Sequence, residues 1–272
     1  MKKRFLVLID FSDYSANLLK YACDWAIHAG AELHLVHQTS PEIPALSDAE
    51  SRKRIIRHEN EQALEQLKEM AQELVLATVP VSFTATERNL SSLLPELLQQ
   101  PYEQLVFAGL KGTGLMKKIF LGSTTLQLIE HTSNTVVAMP GEISRFTQEK
   151  IFIAVSDKHP LNILQLNNFL EFIHKEHLEL TFFYHSKPFE ETKEMEKQLH
   201  DLCKLFAERY KTTFAIYVGT DPSGDIKQVI NNKTDELLVI QKGSRMFTDQ
   251  LFRKFVVNDL VYEGQTPLVI LP

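Results

Sequence analysis

Only two cysteines, Cys23 and Cys203, occur in 272 residues, and they fall in separate helical patterns far apart in the chain. Neither a disulfide framework nor a zinc knuckle can be built from them, and both read as buried structural thiols. A basic excess is also missing. Lys and Arg total 29 against 35 Asp and Glu, a net charge of −6, which provides nothing to neutralise a nucleic-acid backbone. The densest basic cluster, Arg52-Lys53-Arg54, stands among acidic residues in a helical stretch. Long apolar runs are absent as well. Met1-Lys2-Lys3-Arg4 leads into Phe5-Leu6-Val7-Leu8-Ile9, but Asp10 ends that run well short of a secretory core or a membrane span. These absences point to a cytoplasmic protein without nucleic-acid or membrane partners.

Catalytic signatures are equally scarce. No GxSxG elbow and no HExxH pair occurs. Glu171, His174 and His177 are spaced three apart on an expected helix, a pattern that suits a solvated face better than a metal site. His34 and His37 lie three apart in an expected strand, so they point to opposite faces and cannot chelate one ion. Glu59, Glu61, Glu65, Glu69 and Lys68 read as the charged face of a long helix. No metal ligand set is assigned.

What the sequence does have is 44% hydrophobic residues, as a packed globular chain of one large or two ordinary domains requires. Apolar patterning predicts strand 4–9, helix 13–29, strand 31–37, a long helix over 47–76, strand 79–85, a short helix over 91–99, strand 104–108, helix 123–131 and strand 135–139. The order then repeats: strand 150–155, helix 161–174, strand 178–185, helix 190–210, strand 212–218, helix 225–231, strand 236–241, helix 250–261 and strand 268–271. Strands joined through helices imply right-handed crossovers and a mostly parallel sheet covered on both faces. Val136-Val-Ala-Met-Pro140 and Leu268-Val-Ile-Leu-Pro272 close the two halves alike, at an offset that holds without a gap back to strands 104–108 and 236–240. Internal duplication follows. The expected domains are 1–143 and 149–272, joined by a short polar linker over Gly141–Glu149 with the boundary near Arg145.

Glycine is rare, with ten in the chain, yet Gly109, Gly112, Gly114 and Gly122 crowd between an expected strand and an expected helix. Such clustering needs a backbone cause, either positive φ or the close approach of a ligand. Gly109 ends a strand and Gly112 allows a tight turn. Gly122-Ser123 opens a helix whose free amides and dipole can hold a phosphate, and Ser123 and Thr124 add hydroxyls. Thr124 and Gln127 also fit a capping box, so these hydroxyls have a purely structural reading too. Lys111, Lys117 and Lys118 would either add positive potential or remain solvated. The pattern is not a P-loop, since Leu115-Met116 stands where Lys and Ser or Thr would be needed. Nor is it a dinucleotide fingerprint, because the first strand-to-helix turn, Asp10-Phe-Ser-Asp-Tyr-Ser15, contains no glycine.

The spacing Gly109-x-x-Gly112, nine residues, Gly122-Ser123, with Leu8-Ile-Asp10-Phe-Ser12 at the start and Val136-Val-Ala-Met-Pro140 at the end, resembles a universal stress protein domain of the ATP-binding type. The whole chain resembles a tandem universal stress protein. That resemblance implies an α/β fold of two five-stranded parallel sheets ordered 3-2-1-4-5, the adenine nucleotide alpha hydrolase-like arrangement, with ATP bound where strands 1 and 4 diverge. It further implies that Asp10, with Phe11 and Ser12, lies against the adenosine moiety and that the backbone around Gln38 meets adenine. Gly109, Gly112, Gly122, Ser123 and Thr124 would hold phosphates, with Mg²⁺ able to bridge them. Asp10 also has a structural reading as a cap for the following helix, a role for which Ser12 and Asp13 compete.

The offset aligns Gly109, Gly112, Gly122 and Ser123 with Gln241, Ser244, Lys254 and Phe255. None of the three glycines survives, so one nucleotide per chain is expected, and the second half is read as a scaffold. In both halves strand 5 is an apolar edge, and the resemblance implies that the two edges pair within the chain; a homodimer is a further option. No activated nucleophile or poised base accompanies the loop, so hydrolysis should be slow or incidental. A nucleotide-dependent stress-response regulator is the expected function. A weak nucleotidase and a nucleotide-free interaction scaffold are the alternatives.

Overall fold

The computed structural model describes residues 1–109, 132–141, 143–146, 149–157, 160–173, 178–220, 236–242 and 266–272. Its centre is one ten-stranded sheet. The strands are β1 (Lys2–Leu8), β2 (Ala31–Gln38), β3 (Val81–Thr86), β4 (Tyr102–Gly109), β5 (Val136–Met139), β6 (Lys150–Ala154), β7 (Glu179–Ser186), β8 (Lys211–Val218), β9 (Glu236–Gln241) and β10 (Leu268–Leu271). They lie in the order β3-β2-β1-β4-β5-β10-β9-β6-β7-β8. All neighbours run parallel except β5 and β10, which pair antiparallel with Val137 opposite Val269. Two five-stranded sheets with their fifth strands paired were expected; β5 and β10 do pair, and the result is a single ladder that runs unbroken through all ten strands.

Five helices are described: α1 (Ser15–Ala29), α2 (Ala49–Leu74), α3 (Leu90–Leu98), α4 (Ile163–Leu170) and α5 (Lys193–Phe206). Strand alternation explains how both faces are covered. Phe5, Val7, Leu33, Leu35 and Phe107 point into one apolar layer with α1, α2, α4 and α5. Leu6, Val36, Val106, Val136 and Ala138 point into the other, against α3. The expected helices over 123–131, 225–231 and 250–261 lie outside the described residues.

Helix α5 is shorter than the expected 190–210. The Glu190 carboxylate accepts from the Tyr184 hydroxyl at 2.9 Å and from the Lys187 amide at 2.7 Å, and Phe189 sits at φ 68°. A turn held this way cannot be helical, so α5 starts only after Thr192. The linker also departs from its polar expectation, because Ile143 and Phe146 are buried. Phe146 stacks on Trp25 at 4.5 Å with planes 13° apart, and the Trp25 indole N–H donates to the Phe172 carbonyl at 2.8 Å. Trp25, the chain's single tryptophan, therefore ties α1 to the segment that follows α4. Cys23 is buried and Cys203 half-buried, both as free thiols, with burial raising the pKa of each.

Candidate functional site

Strand β1 lies between β2 and β4, with Leu8 opposite both Val36 and Ala108. Its connection to β2 passes through α1 on one face, while α3, leading into β4, covers the other. At such a reversal of strand order the loops leave in opposite directions and a crevice opens beyond the carboxyl ends. Asp10, Gln38 and Gly109 are the residues that arrive there.

The turn after β1 is organised by Asp10 itself. One carboxylate oxygen accepts from the Ser12 amide at 3.0 Å and from the Ser15 hydroxyl at 2.9 Å, a side-chain mimic of a backbone turn. Neither Ser12 nor Asp13 caps α1; Tyr14 holds that position without a side-chain cap bond. Phe11 is forced to φ 56°, in the left-handed region that is unfavourable for a bulky side chain. Its ring lies 4.4 Å from that of His37, which in turn contacts the Ile9 carbonyl through Nδ1 at 2.8 Å.

Gln38 does more than end β2. Its side-chain oxygen accepts from the Leu90 amide at 3.2 Å and so fixes the start of α3 against the same end of the sheet. Thr39 donates to Asn60 at 2.6 Å, and Asn60 donates to Glu87 at 2.8 Å, a bond that draws the Glu87 carboxyl below its usual range. Asn60 and Glu87 also form part of the wall of a groove of about 440 Å³ between α2 and β3.

Gly109 closes β4 opposite Met139. Among the described residues, a Cβ added there would make ordinary contact with Leu18 Cδ2 at 3.9 Å. Gly141 is the reverse case: a Cβ would collide with the Tyr14 ring, and the Gly141 carbonyl accepts from Asn17 at 2.8 Å. The structure thus brings Asp10, Phe11, Ser12, Gln38 and Gly109 to one end of the sheet. Gly112, Gly122, Ser123, Thr124 and Lys111, Lys117 and Lys118 lie outside the described residues. His37, Tyr14 and Ser15 escaped sequence reasoning. Only Ser15 left a signal, as a hydroxyl five residues after an acid that ends a strand.

In the second half, Gln241 closes β9 opposite Leu271, the register that Gly109 has opposite Met139. Its side-chain oxygen accepts from the Asn162 amide at 2.6 Å, at the N-cap of α4. A polar side chain therefore stands in the register position where the first half has Gly109 and no side chain. Among the described residues no group of three His, Cys, Asp or Glu side chains could hold a metal ion, and no helix is long and apolar enough to cross a membrane.

Fold and site together define an α/β protein whose strand order reverses beside β1, with Asp10, Gln38 and Gly109 gathered at that end of the sheet. Residues 1–140 match the universal stress protein family, so the chain belongs to that family. Its structure is similar to that of a universal stress protein from Archaeoglobus fulgidus DSM 4304, with 19% identity, TM-score 0.71 and coverage of 98% of this chain and 97% of that one. A functionally unknown protein from Pseudomonas aeruginosa PAO1 shares the fold at 14% identity and TM-score 0.59, covering 99% and 92% of the two chains. A protein from Pseudomonas aeruginosa UCBPP-PA14, described as a universal stress protein, does so at 15% identity and TM-score 0.59, covering 99% and 93%. At these identities the likeness concerns the fold alone. Comparison with curated proteins gives no significant match.

Proposed function

We propose that the chain binds one ATP in the crevice of its first half and acts as a cytoplasmic, nucleotide-dependent stress-response regulator built from two universal stress protein units. The observation that carries this reading is Gly109. It ends β4 without a side chain, at the same end of the sheet as the turn organised by Asp10 and within the residues that match the family. In this reading Asp10, Phe11 and Ser12 meet the nucleoside, Gln38 marks the adenine end, and Gly109, Gly112, Gly122, Ser123 and Thr124 surround the phosphates and any Mg²⁺. The second unit, 149–272, takes no nucleotide in that geometry because Gln241 fills the matching position.

The test is mild purification followed by acid release, with adenine nucleotide counted per chain, together with the melting temperature measured with and without ATP. About one nucleotide per chain, or a rise in melting temperature with added ATP, is expected from a single working site. No nucleotide and no shift would turn the reading to an interaction scaffold. Rapid turnover of bound ATP, abolished in Asp10→Ala, would turn it to a nucleotidase.

A further inference from the structure

Helix α2, between β2 and β3, has 26 residues, whereas α5, between β7 and β8, has 14. Only Ala63, Leu67 and Ala71 of α2 are buried, so residues 49–62 extend past the core without one buried side chain. Packing gives such an overhang little support, yet it is held in place. The Asp48 side chain caps it by accepting from the Ser51 amide at 2.8 Å, and Arg52 donates back to the Ser47 and Ala45 carbonyls at 3.1 and 3.3 Å. Farther along, Asn60 is fixed by Thr39 after β2 and by Glu87 after β3. The overhang is therefore a standing wall, and the groove of about 440 Å³ lies against it.

The helix lines this groove with two rows. Ile56, Asn60 and Leu64 follow one another one turn apart and, with Ala85 of β3, give a half-buried floor that is apolar on both sides of Asn60. Lys53, Arg57 and Glu61 form the adjacent row, and Glu87 adds a second carboxylate. Arg57 and Glu61 are one turn apart, but the cation comes first, the poorer order for a helical pair. Neither forms an ion pair or a side-chain hydrogen bond among the described residues, and the same holds for Lys53. The groove thus presents two cations and two carboxylates, without net charge, beside an apolar floor.

That balance selects among ligands. A simple acid would be repelled by Glu61 and Glu87, and a simple amine by Lys53 and Arg57. An uncharged apolar molecule would cover the floor and leave all four charges without partners. A molecule with a carboxylate and an ammonium on neighbouring atoms and an apolar body answers every group: the carboxylate meets Arg57 and Lys53, the ammonium meets Glu61 and Glu87, and the body lies on Ile56, Leu64 and Ala85. The volume is that of a small-molecule site. We infer that the groove between α2 and β3 binds a free amino acid with an apolar side chain. This site does not depend on the nucleotide reading, since it shares no lining residue with the crevice at Asp10, Gln38 and Gly109. The second half has no matching wall, because α5 packs from its first turn through Met195.

Equilibrium dialysis of the full chain against labelled L-leucine and labelled L-phenylalanine tests this, with 3-phenylpropionate, which lacks the amine, and 2-phenylethylamine, which lacks the carboxylate, as competitors. The expected result is one site per chain for at least one of the two amino acids, with each competitor at least about tenfold weaker than unlabelled amino acid. Arg57→Gln and Glu61→Gln should each weaken binding by about tenfold or more. Both side chains are exposed, so melting temperatures near that of the parent are the check on folding. No binding of either amino acid up to about 10 mM, competitors as effective as the amino acid, or a folded variant that binds like the parent would each overturn the inference. Binding that is lost in Gly109→Gln but kept in both groove variants would place the amino acid in the crevice and overturn it as well.

Discussion

At the end of β4 the chain has Gly109, and at the end of β9, in matching register, it has Gln241. The first brings no side chain to that place; the second throws a hydrogen bond across to the N-cap of α4. The flanking strands differ in the same spirit. His34 on β2 bonds Ser82 and Thr84 of β3, whereas the position in matching register on β7 is Thr181, bonded to Thr213 of β8 at 2.9 Å. One half has a glycine and a titratable imidazole at these register positions, and the other has side chains that bond locally and carry no charge. The strand order on either side of the β5–β10 seam is the same despite these differences, so it depends on the apolar alternation rather than on these residues.

The largest expected effect breaks the junction on which both halves depend. Trp25→Ala removes a fully buried indole and its bond to Phe172, and should cost about 3–5 kcal/mol in denaturant unfolding. A loss under about 1 kcal/mol would mean that the halves stand independently of this contact.

Acid should act on the first half through His34. Burial, and secondarily the charge of Arg4, lower the pKa of His34 from 6.5 to about 4. Below pH 6.5 the unfolded chain takes up this proton before the folded one does, so the contribution is complete above that pH and is lost as pH falls toward 4. The loss is on the order of 3 kcal/mol. His34→Thr, which copies the second half, should flatten this part of the pH–stability curve; an unchanged curve would assign the acid sensitivity to other groups.

Next comes Gly109→Gln, which gives the first half the residue of the second. Leu18 leaves room for the new side chain to start, so folding should persist. Stabilisation by ATP, about 2.7 kcal/mol at a hundredfold excess over Kd, should disappear from the melting curve. Retention of the shift would place the nucleotide elsewhere. The smallest effect belongs to Gln241→Gly, which loses its bond to Asn162, about 1 kcal/mol, and should gain no second nucleotide. A second equivalent of nucleotide in an acid-release count would show that Gln241 alone silences that half.

Much of this contrast was legible in the sequence. Strands β9 and β10 have the bounds that patterning predicts, because continuous apolar runs between turn residues leave little choice. The offset between the halves identified Gln241 as the counterpart of Gly109, and the opposite faces assigned to His34 and His37 agree with their separate partners. What patterning could not give was the use of side chains to hold turns. Glu190 stops α5 from starting early because two donors converge on its carboxylate, and Phe146 leaves a polar linker for the Trp25 ring; both depend on residues distant in space or folded back locally. Asp10 was legible as important but not as the acceptor of Ser15, since its turn forms only when Phe11 takes up positive φ.

The antiparallel meeting of β5 and β10 has a consequence for communication. Strands within each half are parallel, so reversal at this seam sends the carboxyl ends of the first half to one margin of the sheet and those of the second half to the other. Gly109 and Gln241 therefore lie at opposite margins of the sheet. What joins the two margins is the short ladder Ala138–Leu268, Val137–Val269 and Val136–Ile270, with the Trp25 bond to Phe172 and the bond from Lys242 to the Thr132 carbonyl beside it, so a change of sheet twist at one margin is felt at the other.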